Sequence, residues 1–150
     1  MFLGGGLTPV RCLGESMRPA LEPGDFLLMT SGAPPAENAR GAIVCFRDPR
    51  SASGRFLLKR VIGLPGESIR ASNAVFINGR LQEEPYVATT NLSSHVQARG
   101  VNQISAGTYF VMGDNRLEST DSRMFGAIAE SEIIGTIKFR YWPFSRIGRL

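Results

Sequence analysis

Three short segments of this 150-residue chain join a reactive or orienting polar side chain to tight-turn residues and apolar flanks. They are GESMRPALEPGD (14–25), FLLKRVIGLPGE (56–67) and GDNRLESTDSR (113–123). The first carries Ser16. Its hydroxyl is a nucleophile only if a base removes its proton, and a lysine is such a base only when its amine is neutral at working pH. Taken alone, Ser16 is a turn serine, and Lys59 in the second segment is a strand lysine with its stem along a sheet. Taken together they have an acid–base logic, because Phe56, Leu57 and Leu58 precede Lys59 and Val61 and Ile62 follow it. Burial among apolar groups lowers a lysine pKa from ~10.4 by up to about 3–5 units. A shift of about three units needs roughly 4 kcal/mol, at ~1.36 kcal/mol per unit.

The third segment gathers Asp114, Asn115, Arg116, Ser119, Asp121, Ser122 and Arg123. As an ordinary loop it is a solvated turn with local side-chain hydrogen bonds. Beside a serine and a neutral lysine it gains specific work: Ser119 offers a hydroxyl to orient the amine, while Asp121 and Arg123 pair to hold the loop. An acid aimed at Lys59 would instead raise its pKa.

Other chemistries have less to build on. Cys12 and Cys45 are too few and too irregular for a disulfide framework, and no CxxC pair or Cys/His cluster has metal-ligand spacing. The single histidine, His95, lies in polar NLSSHVQ, where a solvated loop residue is expected; a Ser-His-Asp triad would depend on it alone.

The elements that must position these residues are short, β-branched or aromatic runs broken by Gly, Pro and Asn. They predict a mainly β fold, a compact antiparallel sheet or barrel with little helix. Strands are expected at Asp25–Thr30, Ala42–Arg47, Phe56–Leu64, Ser68–Ala71, Ala74–Ile77, Arg80–Gln82, Thr108–Met112 and Gly135–Tyr141. Asn78-Gly79 predicts a two-residue hairpin, since both residues tolerate the positive φ of a type I′ turn. Ser31–Gly41 and Thr89–Gly107 read as surface loops, and Glu130–Ile133 as a brief helical turn.

Length predicts a single domain over residues 1–150. The 43% hydrophobic content is enough for a core without staples. A net charge of +4 suits an anionic membrane surface or nucleic acid, but the arginines are scattered and form no stripe with aromatics. No run approaches the ~18–20 apolar residues of a membrane span, and MFLGGGLTPV lacks the regions of a secretory signal.

The residues resemble the type I signal peptidases, a serine/lysine family that cleaves signal peptides from exported preproteins at membranes. SMRPAL (16–21), RGAIVCFRDP (40–49), LKRVIGLPGE (58–67) and GDNRLESTDSR (113–123) resemble its four motifs in their order, and YWPFSRIG (141–148) its ending. The resemblance runs from about Val10 to the C-terminus. It implies that Ser16 is the nucleophile and Lys59 the general base. Ser119 would position the lysine, Asp121 with Arg123 would form a structural ion pair, and Asp114 with Arg60 a second one. The oxyanion would rest on the Ser16 backbone N–H, with Gly14 standing where some members carry a serine.

No cofactor or metal is implied. The substrate would be a preprotein signal peptide lying extended along strand edges near Ala42–Phe46 and Phe56–Lys59. Small residues one and three before the cut would enter pockets walled by Met17, Leu21, Leu57 and Leu58, with Cys12 and Cys45 nearby; core packing accounts for the same residues. A membrane lipid surface would be a partner and nucleic acid would not. Trp142 and Phe144, among Arg140, Arg146 and Arg149, would meet that surface or pack a C-terminal strand. The resemblance places the catalytic domain on the outer, periplasmic or extracytoplasmic, face, with its membrane anchor absent from this chain. Two other readings share some of these features: a self-cleaving repressor-type Ser/Lys protease, against which no helix-turn-helix precedes Ser16, and a non-catalytic basic β-module that binds peptides.

Overall fold

The computed structural model describes residues 6–72, 74–88 and 100–150. His95 and residues 89–99 of the Thr89–Gly107 stretch lie outside them. The strands are β1 (Thr8–Arg11), β2 (Phe26–Ser31), β3 (Ile43–Arg47), β4 (Phe56–Gly63), β5 (Ser68–Ala71), β6 (Val75–Ile77), β7 (Arg80–Leu81), β8 (Asn102–Gln103), β9 (Thr108–Met112), β10 (Ile128–Ala129), β11 (Ile133–Trp142) and β12 (Gly148–Arg149). One turn of helix, α1 (Ser122–Phe125), starts within the last two residues of the third motif.

The larger sheet runs β1-β2-β11-β3-β4-β9-β10, with β12 also on β11, and every pair is antiparallel. A second sheet, β7-β6-β5-β8, sits between β4 and β9 in sequence. Its β6–β7 turn is the expected hairpin, with φ of 49° at Asn78 and 79° at Gly79. Ser68–Ala71 and Thr108–Met112 fall as expected; the other anticipated strands shift at one or both ends by one or two residues. Glu130–Glu132 forms the brief turn, as a 3₁₀ helix.

Four short strands were not foreseeable as strands. β1 is TPVR, mostly exposed and interrupted by Pro9, so it shows neither alternation nor an apolar run. Pro9 is tolerated because β1 is an edge strand. The dipeptide strands β8, β10 and β12 are too short to carry a period.

The core has three parts. Cys12, Met17, Leu21, Leu27, Met29, Ile43, Cys45 and Ile137 pack beneath the first motif. Val44, Phe46, Val61, Tyr109, Val111, Ile128 and Ile133 fill the centre. Ile62, Ile69, Val75, Ile77, Ile104, Phe110 and Met112 join the small sheet to the large one. The first and second of these lie either side of the start of β4: Leu58 packs on one and Leu57 on the other.

Candidate active site

Ser16 stands on the loop between β1 and β2. The loop is closed at its base, where Cys12 N–H donates to Asp25 O and Gly24 N–H to Cys12 O, both at 2.8 Å. Its crest is tied to the third motif: Asn115 N–H donates to Ser16 O at 2.9 Å, and the Asn115 side-chain amide to Glu15 O at 3.2 Å. Its far side is held from the C-terminus. Buried Asp25 accepts hydrogen bonds from Arg140 and Arg146, each at 3.1 Å, and these arginines also donate to Ala20 O, with Arg146 reaching Pro19 O. Arg140 and Arg146 therefore serve the nucleophile loop. Trp142 and Phe144 remain exposed, stacked edge to face at 4.7 Å, and Arg149 is exposed as well.

Lys59 comes from β4, where it faces Val44 of β3 in register. It is 2% exposed, and its Nζ lies 2.5 Å from Ser16 Oγ. Burial lowers its pKa from the usual lysine value to about 8; the Asp121 charge and, more weakly, Cys12 and Asp48 oppose this. With its pKa brought down towards the working range, the amine can lose its charge and accept the serine proton. The two thiols nearby are no competing nucleophiles. Burial, with help from the Asp25 charge, raises the Cys12 pKa, and burial pushes Cys45 up to about 11.

The third motif is a buried ionic frame. Asp121 takes both a bidentate pair from Arg123, at 2.9 Å on each oxygen, and the Gly113 N–H at 2.9 Å. Burial works against its charge, but Arg123, Gly113 N–H and the Ser119 hydroxyl together outweigh it and keep the carboxyl below its usual range. Asp114, fully buried, binds Arg60 in a bidentate fork at 2.8 and 2.6 Å, joining the motif to β4 one residue past Lys59. Both pairs match the pairings the resemblance implies.

Ser119 differs from the expectation. Its hydroxyl donates to Asp121 at 2.7 Å, and among the described residues no hydrogen bond joins it to Lys59. The carboxylate is the stronger acceptor and is nearer in sequence, so it takes the proton. Ser119 also packs beside Gly113, where an added Cβ would meet its side chain.

A cleft of about 750 Å³ opens beside Ser16 and Lys59. Met17, Leu57, Leu58, Cys12, Cys45 and Gly14 line it; Leu21 does not, being 0% exposed inside the core beneath. The strand edges also differ from expectation. β3 is paired on both sides, by β11 and β4, so Ala42–Phe46 has no edge to offer. Phe56–Lys59 does, because β9 joins β4 only from Arg60 onward. The facing edge is β1, which pairs only with β2 among the described strands. Thr8, Val10 and Arg11 from β1 and Phe56 through Lys59 from β4 both line the cleft. Next to it, the Ser16 N–H has no hydrogen-bond partner among the described residues. Gly14 supplies no side-chain donor, and a Cβ there would meet nothing within 4 Å.

Sequence reasoning missed Asn115 and Asp25 as holders of the nucleophile loop, and Glu84 and Tyr86 as partners of the frame. Glu84 forms a buried bidentate pair with Arg116, whose Nε donates to Gly113 O, and the Tyr86 ring lies 4.3 Å from the Arg60 guanidinium. A polar residue inside a dense polar segment was the available signal for Asn115; QEEPY around Glu84 carried none.

The chain matches the family model described as "Signal peptidase, peptidase S26" over residues 4–142. It is 36% identical to the signal peptidase IB of Staphylococcus aureus over 93% of this chain and 80% of that protein. It is 34% identical to the signal peptidase I of Bacillus caldolyticus over 90% and 79%. A crystal structure of a signal peptidase I from Enterococcus faecalis superposes with a TM-score of 0.54 at 33% identity, covering 65% of this chain and 93% of that one. The order of the motifs, the mainly β fold and these likenesses agree, and the chain belongs to the signal peptidase family, peptidase S26.

Proposed function

We propose that this chain is a serine endopeptidase that removes signal peptides from exported preproteins after small residues, with Ser16 as nucleophile and Lys59 as general base. The observation that carries the reading is the 2.5 Å approach of a buried amine to a serine hydroxyl at the wall of an open cleft. Ser16 Oγ attacks the scissile carbonyl while Lys59 takes its proton, and the Ser16 N–H receives the developing oxyanion. The Lys59 ammonium then protonates the leaving amine as the peptide bond breaks. In the second half, neutral Lys59 removes a proton from water, which attacks the acyl-enzyme and releases Ser16.

The substrate adds a strand between β1 and the free edge of β4, as in other β-augmentation complexes. Met17, Leu57, Leu58, Cys12 and Cys45 wall the shallow apolar space beside the nucleophile, which favours small side chains near the cut. The order of the four motifs favours action on other chains over a self-cleaving repressor.

Among the described residues no helix is long and apolar enough to cross a membrane. Exposed Trp142, Phe144 and Ile147 with Arg149 suit a lipid surface on the outer face of a membrane. The deciding experiment is incubation with a signal-peptide-bearing substrate in detergent or lipid, with mass determination of the products. Cleavage after a small residue by the parent and none by Ser16→Ala is expected; turnover by Ser16→Ala that equals the parent would refute the reading.

A further inference from the structure

Charged side chains of both signs line the cleft: Glu15 and Glu118, and Arg11, Arg50 and Arg55. Arg50 and Arg55 project from the β3–β4 turn, and both are seated on the same buried carboxylate. Asp48, 2% exposed, accepts Arg50 Nε at 3.2 Å and Arg55 Nη2 at 2.7 Å. Two cations on one anion leave the group a net positive charge. Their side chains stay 43% and 64% exposed, so the guanidinium groups are oriented at their inner ends and open to the cleft. The Arg50 guanidinium is further steadied over the Phe125 ring, 5.6 Å from its centroid.

This inference rests on the peptidase reading above, which places the residues before the cut between β1 and β4. Arg55, the residue before β4 begins, precedes Lys59 by four residues, a span of roughly 13 Å in extended chain. An extended peptide with its scissile carbonyl at Ser16 therefore passes the arginines about four to six residues before the cut. We propose that Arg50 and Arg55, seated on Asp48, read charge at those upstream positions, favouring an acidic side chain there and disfavouring a basic one.

The test uses paired peptide substrates that differ only by Glu or Lys at the fifth residue before the cut. Parent protein is expected to prefer Glu by about three- to tenfold in kcat/KM, the scale of partly exposed charge pairs, and the preference should shrink as salt is raised. Arg55→Gln, which keeps a hydrogen-bond donor for Asp48, should bring the ratio toward one, and Arg55→Lys should restore most of it. A general loosening of the turn would slow both peptides alike and leave the ratio in place. A ratio near one in the parent, with cleavage intact and Ser16-dependent, overturns the proposal while leaving the peptidase reading standing; no cleavage of either peptide overturns both. Loss of binding to anionic vesicles in Arg55→Gln with an unchanged Glu/Lys ratio would also overturn it and assign the arginines to lipid headgroups.

Discussion

The carboxylate of Asp121 acts against the burial of Lys59. Its charge is the largest influence raising the pKa of the amine, while desolvation carries that pKa down to about 8. Asp121 is itself compensated by Arg123, so the lysine feels a partly neutralised acid. Asp121→Asn removes the charge and keeps an acceptor for the Gly113 N–H. The acid limb of kcat/KM against pH should move below its parental position near 8, whatever happens to the maximum rate. An unmoved or higher limb would contradict the electrostatic role assigned to Asp121.

Keeping Lys59 dry destabilises the fold. Its native pKa of about 8 lies below the unfolded value, so between those two values the unfolded chain binds more protons and stability rises with pH. Below pH 8 both states are charged and the full penalty applies, about 3 kcal/mol from the gap at ~1.36 kcal/mol per pH unit. Lys59→Met should therefore be inactive yet more stable than the parent in urea at pH 7, with the advantage fading as pH approaches 10.5. A Met variant that is less stable at pH 7 would show that the ammonium is well accommodated and the dry site does not exist.

The two catalytic candidates were legible in the sequence because each sits in a dense local pattern: Ser16 before Met17 and Pro19, Lys59 within a leucine and valine run. What joins them was not. The loop that carries Ser16 is fixed by Asn115, about a hundred positions away, and by Asp25 with Arg140 and Arg146. Such bonds depend on tertiary placement and leave no period or spacing to read. The same limit explains the wrong substrate edge. An apolar run at Ala42–Phe46 looks like any strand, and only the pairing of β11 beside it shows that both sides are taken. β1, the edge that does face the cleft, has almost no strand character of its own.

Asp114 and Arg60 form a buried fork between the third motif and β4, with Arg60 also donating to Gly41 O and lying on Tyr86. Removing one member of a buried pair leaves the other charge without its partner, which costs about 3–5 kcal/mol. Asp114→Ala should lose stability on that scale in urea unfolding. Replacing the exposed Glu15, whose partner Arg18 is also exposed, should change stability by no more than about 1 kcal/mol. Similar losses for both would mean that the fork carries no special structural weight.

Gly113 opens the third motif at the point where it touches the nucleophile loop. A Cβ there would run into the Ser119 side chain and come within 2.6 Å of Ser16 O. Those neighbours belong to opposite sides of the site, so any relief must push Ser16 away from Lys59 or Ser119 away from Asp121. Gly113 N–H and O are also occupied, by Asp121 and Arg116, which limits backbone retreat. Catalysis depends on atoms held to fractions of an ångström, and a displacement of about 1 Å can cost about 100-fold in rate. Gly113→Ala should thus retain a cooperative unfolding transition and near-parental circular dichroism while kcat falls by about two orders of magnitude. Unfolding without loss of kcat in the folded fraction, or parental kcat at parental stability, would each show that the close approach at Gly113 does not hold the serine against the amine.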